Sequence, residues 1–132
     1  MKLLKLALLL CLNLGAGLAH DSQSAGNVQV TLFTDADDGL RVNTATRISL
    51  RFVHAGQPLA RCRCRILLYR GSPSARVAPL RDLYLDALQA GQGQALLQGL
   101  PAGAYTLVLD GRPVQYGEFD AFRMRYILSA TP

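Results

Sequence analysis

Phe122-Arg123-Met124-Arg125-Tyr126-Ile127-Leu128-Ser129 alternates along most of its length. Phe122, Met124, Tyr126 and Leu128 fall on one side, and Arg123, Arg125 and Ser129 on the other. Successive side chains of an extended strand point to opposite faces, so this pattern predicts a strand with one face in an apolar core and one in water. The same period recurs upstream. Val28, Val30 and Leu32 alternate with Gln29 and Thr31; Ile48, Leu50 and Phe52 alternate with Arg47, Ser49 and Arg51. Cys62, Cys64, Ile66 and Leu68 alternate with Arg61, Arg63 and Arg65, and the period returns over residues 94–98 and 104–109.

Turn residues interrupt these runs. Asp35-Ala36-Asp37-Asp38-Gly39, His54-Ala55-Gly56-Gln57-Pro58 and Gly71-Ser72-Pro73-Ser74 are breaks of the Asp/Gly/Pro/Ser kind. Asp110-Gly111 is a tight-hairpin signal, because both residue types tolerate positive φ. The middle of the chain is ambiguous. Leu80, Leu83, Tyr84, Ala87 and Leu88 fit helical spacing with Gly91 as a stop, but a strand over residues 83–87 fits as well. About seven strands with turns at this spacing predict an all-β fold, an immunoglobulin-like or transthyretin-like antiparallel β-sandwich.

Composition agrees. Half of the 132 residues are hydrophobic and 17% are charged, a globular balance with room for one domain. Residues 1–19 read as a secretory signal peptide. Lys2 and Lys5 give the positive start, Leu3–Leu14 the apolar segment, and Gly17 and Ala19 the small residues ahead of a cut. The apolar segment is too short to span a bilayer comfortably, and Cys11 follows Leu8–Leu10 instead of the small residues a lipidation site needs. The expected organisation is a leader (1–19), a flexible polar arm (20–26) and a β-sandwich domain (27–132), placed in the periplasm or secreted. Loss of the two lysines with the leader lowers the net charge from +5 to +3 and leaves arginine as the only cation besides histidine and the terminus.

Leu97-Gln98-Gly99-Leu100-Pro101-Ala102-Gly103-Ala104-Tyr105-Thr106-Leu107 resembles the Gly-Leu-Pro-x-Gly-x-Tyr-x-Leu signature of bacterial periplasmic prealbumin-like and carboxypeptidase-regulatory-like sandwich domains. Val53-His54-Ala55-Gly56-Gln57-Pro58-Leu59 is similar to a hairpin of the same domains. The resemblance covers about residues 28–110 and implies a fold, not an activity. In it, Tyr105 returns its hydroxyl across the corner that Leu100 and Pro101 make.

Three constellations carry candidate chemistry, each beside an ordinary structural reading. If the leader is cut after Ala19, His20 presents an α-amine and an imidazole together, half of a copper site that His54 would complete. The ordinary reading is a chance first residue and a polar strand end. Cys62 and Cys64 share a strand face and are read as small buried hydrophobes, as a redox-labile bridge, or as soft ligands for copper. Arg61, Arg63 and Arg65 line one face of a strand, and Arg47 and Arg51 line another. Were those strands neighbours, five guanidinium groups would form a binding surface for an envelope protein or an anionic envelope ligand; otherwise they are a solvated sheet face. Nucleic acid is not expected, since no aromatics interleave with the cations. The Asp35–Gly39 cluster lacks the downstream Glu of a calcium loop. Enzyme motifs are missing, and Glu118 is the only glutamate. The expectation is therefore an exported, non-catalytic binding or accessory module, the alternative being a small periplasmic copper-binding protein that uses His20 and His54.

Overall fold

The computed structural model describes residues 20–34 and 39–132. The expected leader and Asp35–Asp38 lie outside the described residues. Among the described residues ten strands build two five-stranded sheets: β1 (His20–Ala25), β2 (Val28–Thr34), β3 (Leu40–Arg41), β4 (Thr46–His54), β5 (Gln57–Pro58), β6 (Arg63–Arg70), β7 (Arg81–Tyr84), β8 (Gln92–Leu97), β9 (Gly103–Arg112) and β10 (Phe122–Thr131). In the first sheet β1, β2 and β4 lie side by side, with β5 and β8 both on β4. The second runs β3-β10-β9-β6-β7. All pairings are antiparallel except β3 with β10. The all-β expectation holds.

Period two explains the layering. Val28, Val30, Leu32, Ile48, Leu50 and Phe52 of the first sheet face Ile66, Leu68, Leu107, Leu109, Met124 and Tyr126 of the second in one buried core. Removal of this apolar surface from water is the main force holding the sheets together. One polar group reaches across it: Tyr126 donates its hydroxyl to the Val30 carbonyl at 2.8 Å. Tyr105 donates to the Pro101 carbonyl at 2.5 Å, the expected corner bond.

Two local expectations are corrected and one ambiguity is resolved. Residues 20–25 form no free arm; they pair residue for residue with β2, and Ser22 meets Thr31 at 2.7 Å between hydroxyl oxygens. Short polar side chains suit this sheet edge, where apolar ones would invite pairing with other chains. Within residues 80–90, where helix and strand both fit, Arg81–Tyr84 is strand: β7 pairs with β6, Leu83 and Leu85 pack on the core, and Tyr84 points out, 73% exposed. Tertiary pairing overrides the helical spacing here.

Asp110-Gly111, finally, is no turn. Strand β9 runs straight through it, and the chain reverses later, between Arg112 and Phe122. Gly111 stands directly opposite Phe122, and a Cβ on it would come within 2.1 Å of the Phe122 ring. This glycine is a seat for an aromatic ring.

Two predictions follow from this packing. Gly111→Ala should lower stability by about 1–3 kcal/mol through overpacking, seen as a lower urea midpoint; an unchanged midpoint would contradict the packing. Burial, and secondarily the Asp21 carboxylate, holds the Tyr126 hydroxyl above its ordinary value of 10.0. The unfolded chain therefore ionises first, and this contribution to stability is lost as pH rises above 10.0. Tyr126→Phe should cost about 1 kcal/mol at neutral pH and flatten the alkaline limb of the stability curve; parallel alkaline limbs would refute it.

Candidate functional site: the arginine face of the second sheet

The residues of the second sheet that point away from the core are fixed by register. Arg63 of β6 lies opposite Arg112 of β9. In the next outward row Tyr84, Arg65, Asp110 and Arg123 stand side by side across β7, β6, β9 and β10. Asp82, Leu67, Val108 and Arg125 form the row beyond, and Tyr69, Thr106 and Ile127 the one after it. Five arginines thus share one face with two aspartates. The floor beside them is apolar: Leu67, Tyr69 and Val108 form a second buried cluster, separate from the main core.

Ion pairing sorts these cations. Asp82 takes Arg65 on both prongs, Nε to Oδ1 at 2.7 Å and Nη2 to Oδ2, while the Tyr84 ring lies 5.6 Å from the guanidinium carbon. That two-pronged bond holds the Asp82 carboxyl below its ordinary value and the Arg65 guanidinium above its own. Asp110 takes Arg123 at 3.2 Å. No carboxylate among the described residues pairs with Arg63, Arg112 or Arg125. Like charges set directly opposite on a sheet are destabilising, so the Arg63–Arg112 pair is a local expense of the bare protein.

The expected grouping of Arg61, Arg63 and Arg65 with Arg47 and Arg51 is not met. Strands β4 and β6 belong to different sheets, and the outer faces of those sheets point apart. Arg51 lies over the Phe33 ring at 5.4 Å, on the first sheet. Arg61 precedes β6 and bonds Glu118 at 2.9 Å. The surface keeps Arg63 and Arg65 and gains Arg112, Arg123 and Arg125. Alternation had already marked Arg123 and Arg125 as outward; what the sequence did not reveal was which strand β10 pairs with.

Cys62 and Cys64 are joined in a disulfide. Of the three readings the bridge is the one realised, with Cys64 1% exposed and Cys62 partly buried. Arg63 is the single residue enclosed between them.

The backbone positions of the two histidines lie at different levels of the first sheet. On the backbone His20 pairs with Phe33, which pairs with Ser49, whereas His54 pairs with Val28 at the other end of β4. Five strand residues, roughly 17 Å, separate the two levels, because β1 and β4 are both held in register with β2. Among the described residues no group of three or more His, Cys, Asp or Glu side chains gathers as a metal site. His54 is half-buried, its ring 6.1 Å from that of Phe119, on the wall of a cleft of about 430 Å³ formed by residues 25–28 and 117–121. Glu118 borders the same cleft, and its carboxylate accepts from Arg61 Nε and from the Gln115 N–H at 2.6 Å.

Comparison of the chain with protein-family models, with curated proteins and with solved structures finds no match.

The hydrogen bond from Arg61, then that from Gln115, holds Glu118 below its ordinary value of 4.5. A depressed folded value contributes stability that is present above pH 4.5 and is lost as pH falls below it. Glu118→Gln should therefore make the acid limb of the stability curve shallower, by a small amount for so exposed a pair. A variant whose acid limb overlays that of the parent would show that the Arg61 contact adds nothing.

Proposed function

We propose that this chain is an exported, non-catalytic binding module that docks an anionic partner on the outer face of its second sheet, through Arg63, Arg112 and Arg125. The observation that carries this reading is the imbalance on that face: five arginines against two aspartates, with three of the arginines meeting no carboxylate among the described residues. Guanidinium groups present several donors in a plane suited to carboxylate and phosphate oxygens, so a flat array of them favours an anionic surface. Exposed Tyr84 and Ile127 flank the array and suit a partner with apolar parts beside its charges. The Leu100–Tyr105 corner supports placing the sandwich among prealbumin-like or carboxypeptidase-regulatory-like domains. The only glutamate is occupied by Arg61 and Gln115, which leaves little machinery for proton transfer and favours binding over catalysis. The leader pattern supports export to the periplasm or the medium.

Retention on immobilised polyphosphate tests the surface. The parent should elute at clearly higher salt than an Arg63→Glu/Arg125→Glu variant, while Arg47→Glu/Arg51→Glu on the opposite sheet should elute close to the parent after allowance for its equal change in net charge. Identical elution of the two double variants would mean that net charge alone is at work and would remove the site.

A further inference from the structure

We infer that Arg63 and Arg112 form a preset clamp for a phosphate monoester group, with Arg63 held in place by the Cys62–Cys64 bridge. The inference rests on the arginine face being the binding surface, and adds to it a discrete site, a ligand chemistry and a role for the disulfide.

Charge comes first. Arg61, Arg65 and Arg123 each have a carboxylate, on Glu118, Asp82 and Asp110. Among the described residues Arg63 and Arg112 have none, and they stand directly opposite one another at the ends of β6 and β9. Their Cβ atoms are on the order of 5 Å apart in such a pair, a spacing at which two planar guanidinium groups reach the oxygens of one tetrahedral anion. A dianion between them turns the repulsion of the empty pair into attraction.

Backbone stiffness comes second, and it bears on both residues independently. Arg63 is the middle residue of a ring closed by Cys62 and Cys64, whose Cα atoms are 5.4 Å apart. Two steps of extended strand span roughly 6.6 Å, so the ring draws the chain in at this residue. A loop this short removes little freedom from the unfolded chain compared with longer ones. The bridge acts chiefly on the residue it encloses. Arg112 is the last residue of β9 and precedes Pro113, which confines it to extended conformations. Beneath the pair, Cys64 and Gly111 are buried opposite each other. The anion therefore sits on the outer face, where the carboxylate of the next row, Asp110, is engaged by Arg123. Binding that loses little backbone freedom gains affinity from that preorganisation.

The test uses the full mature chain, with methyl phosphate as the probe followed by calorimetry or NMR. Saturable binding is expected, at least about tenfold weaker in Arg63→Gln and in Arg112→Gln, which corresponds to the loss of one charge-assisted contact. Arg51→Gln should stay within about twofold, since Arg51 lies over Phe33 on the other sheet. Reduction of the bridge by dithiothreitol should weaken binding several-fold, and reoxidation should restore it; Cys62→Ser/Cys64→Ser should match the reduced form. Methyl sulfate, a monoanion of similar shape, should bind more weakly. Vesicles with phosphatidic acid, compared with phosphatidylcholine alone, show whether the phosphate can be a lipid headgroup; capture only of soluble methyl phosphate assigns a free ester. No saturable binding, equal affinity in Arg63→Gln, or indifference to reduction would overturn the clamp. Retention on polyphosphate that persists without methyl phosphate binding leaves the broad surface standing and removes only this site; loss of both removes both.

Discussion

Phe122 seated on Gly111 is the contact on which the outer surface depends. A ring needs that space, and only a residue without a Cβ leaves it. The contact fixes β10 against β9, and β9 in turn fixes β6. A slip of one residue would exchange the faces of a strand, sending Met124 and Tyr126 to water and Arg123 and Arg125 into the core. The same small void that lets the sandwich close thus decides which arginines share a surface.

Strand identity was legible in the sequence because alternation is a local record of burial. Val28–Leu32, Ile48–Phe52, Ile66–Leu68 and Phe122–Leu128 all face as their spacing predicts. Partnership was not legible, because nothing in the spacing of Arg47 and Arg51 tells which sheet they enter. Chain reversals misled for a related reason. Asp110-Gly111 has turn chemistry, yet the glycine serves the ring of Phe122, eleven residues further on, which a local rule cannot see. Leu80–Leu88 fits a helix until β6 supplies an edge for Arg81–Tyr84 to join.

The candidate site divides along the same line. Arg63 and Arg65 were visible as a stripe, and Cys62-Arg63-Cys64 as a motif. Arg112 carried no signal at all: it looks like a turn residue before a proline until the pairing places it across from Arg63. His20 and His54 were the reverse case, two residues joined by their chemistry on paper and parted by the register of β1 and β4 on β2.

The parallel pairing of Leu40 with Ala130 ties a residue from the first third of the chain to one next to its end. Contacts so distant in sequence are slow to find, since a long loop must close before anything is gained. The second sheet therefore closes only once the residues around Ala130 have found Leu40, which makes its completion a late event in folding.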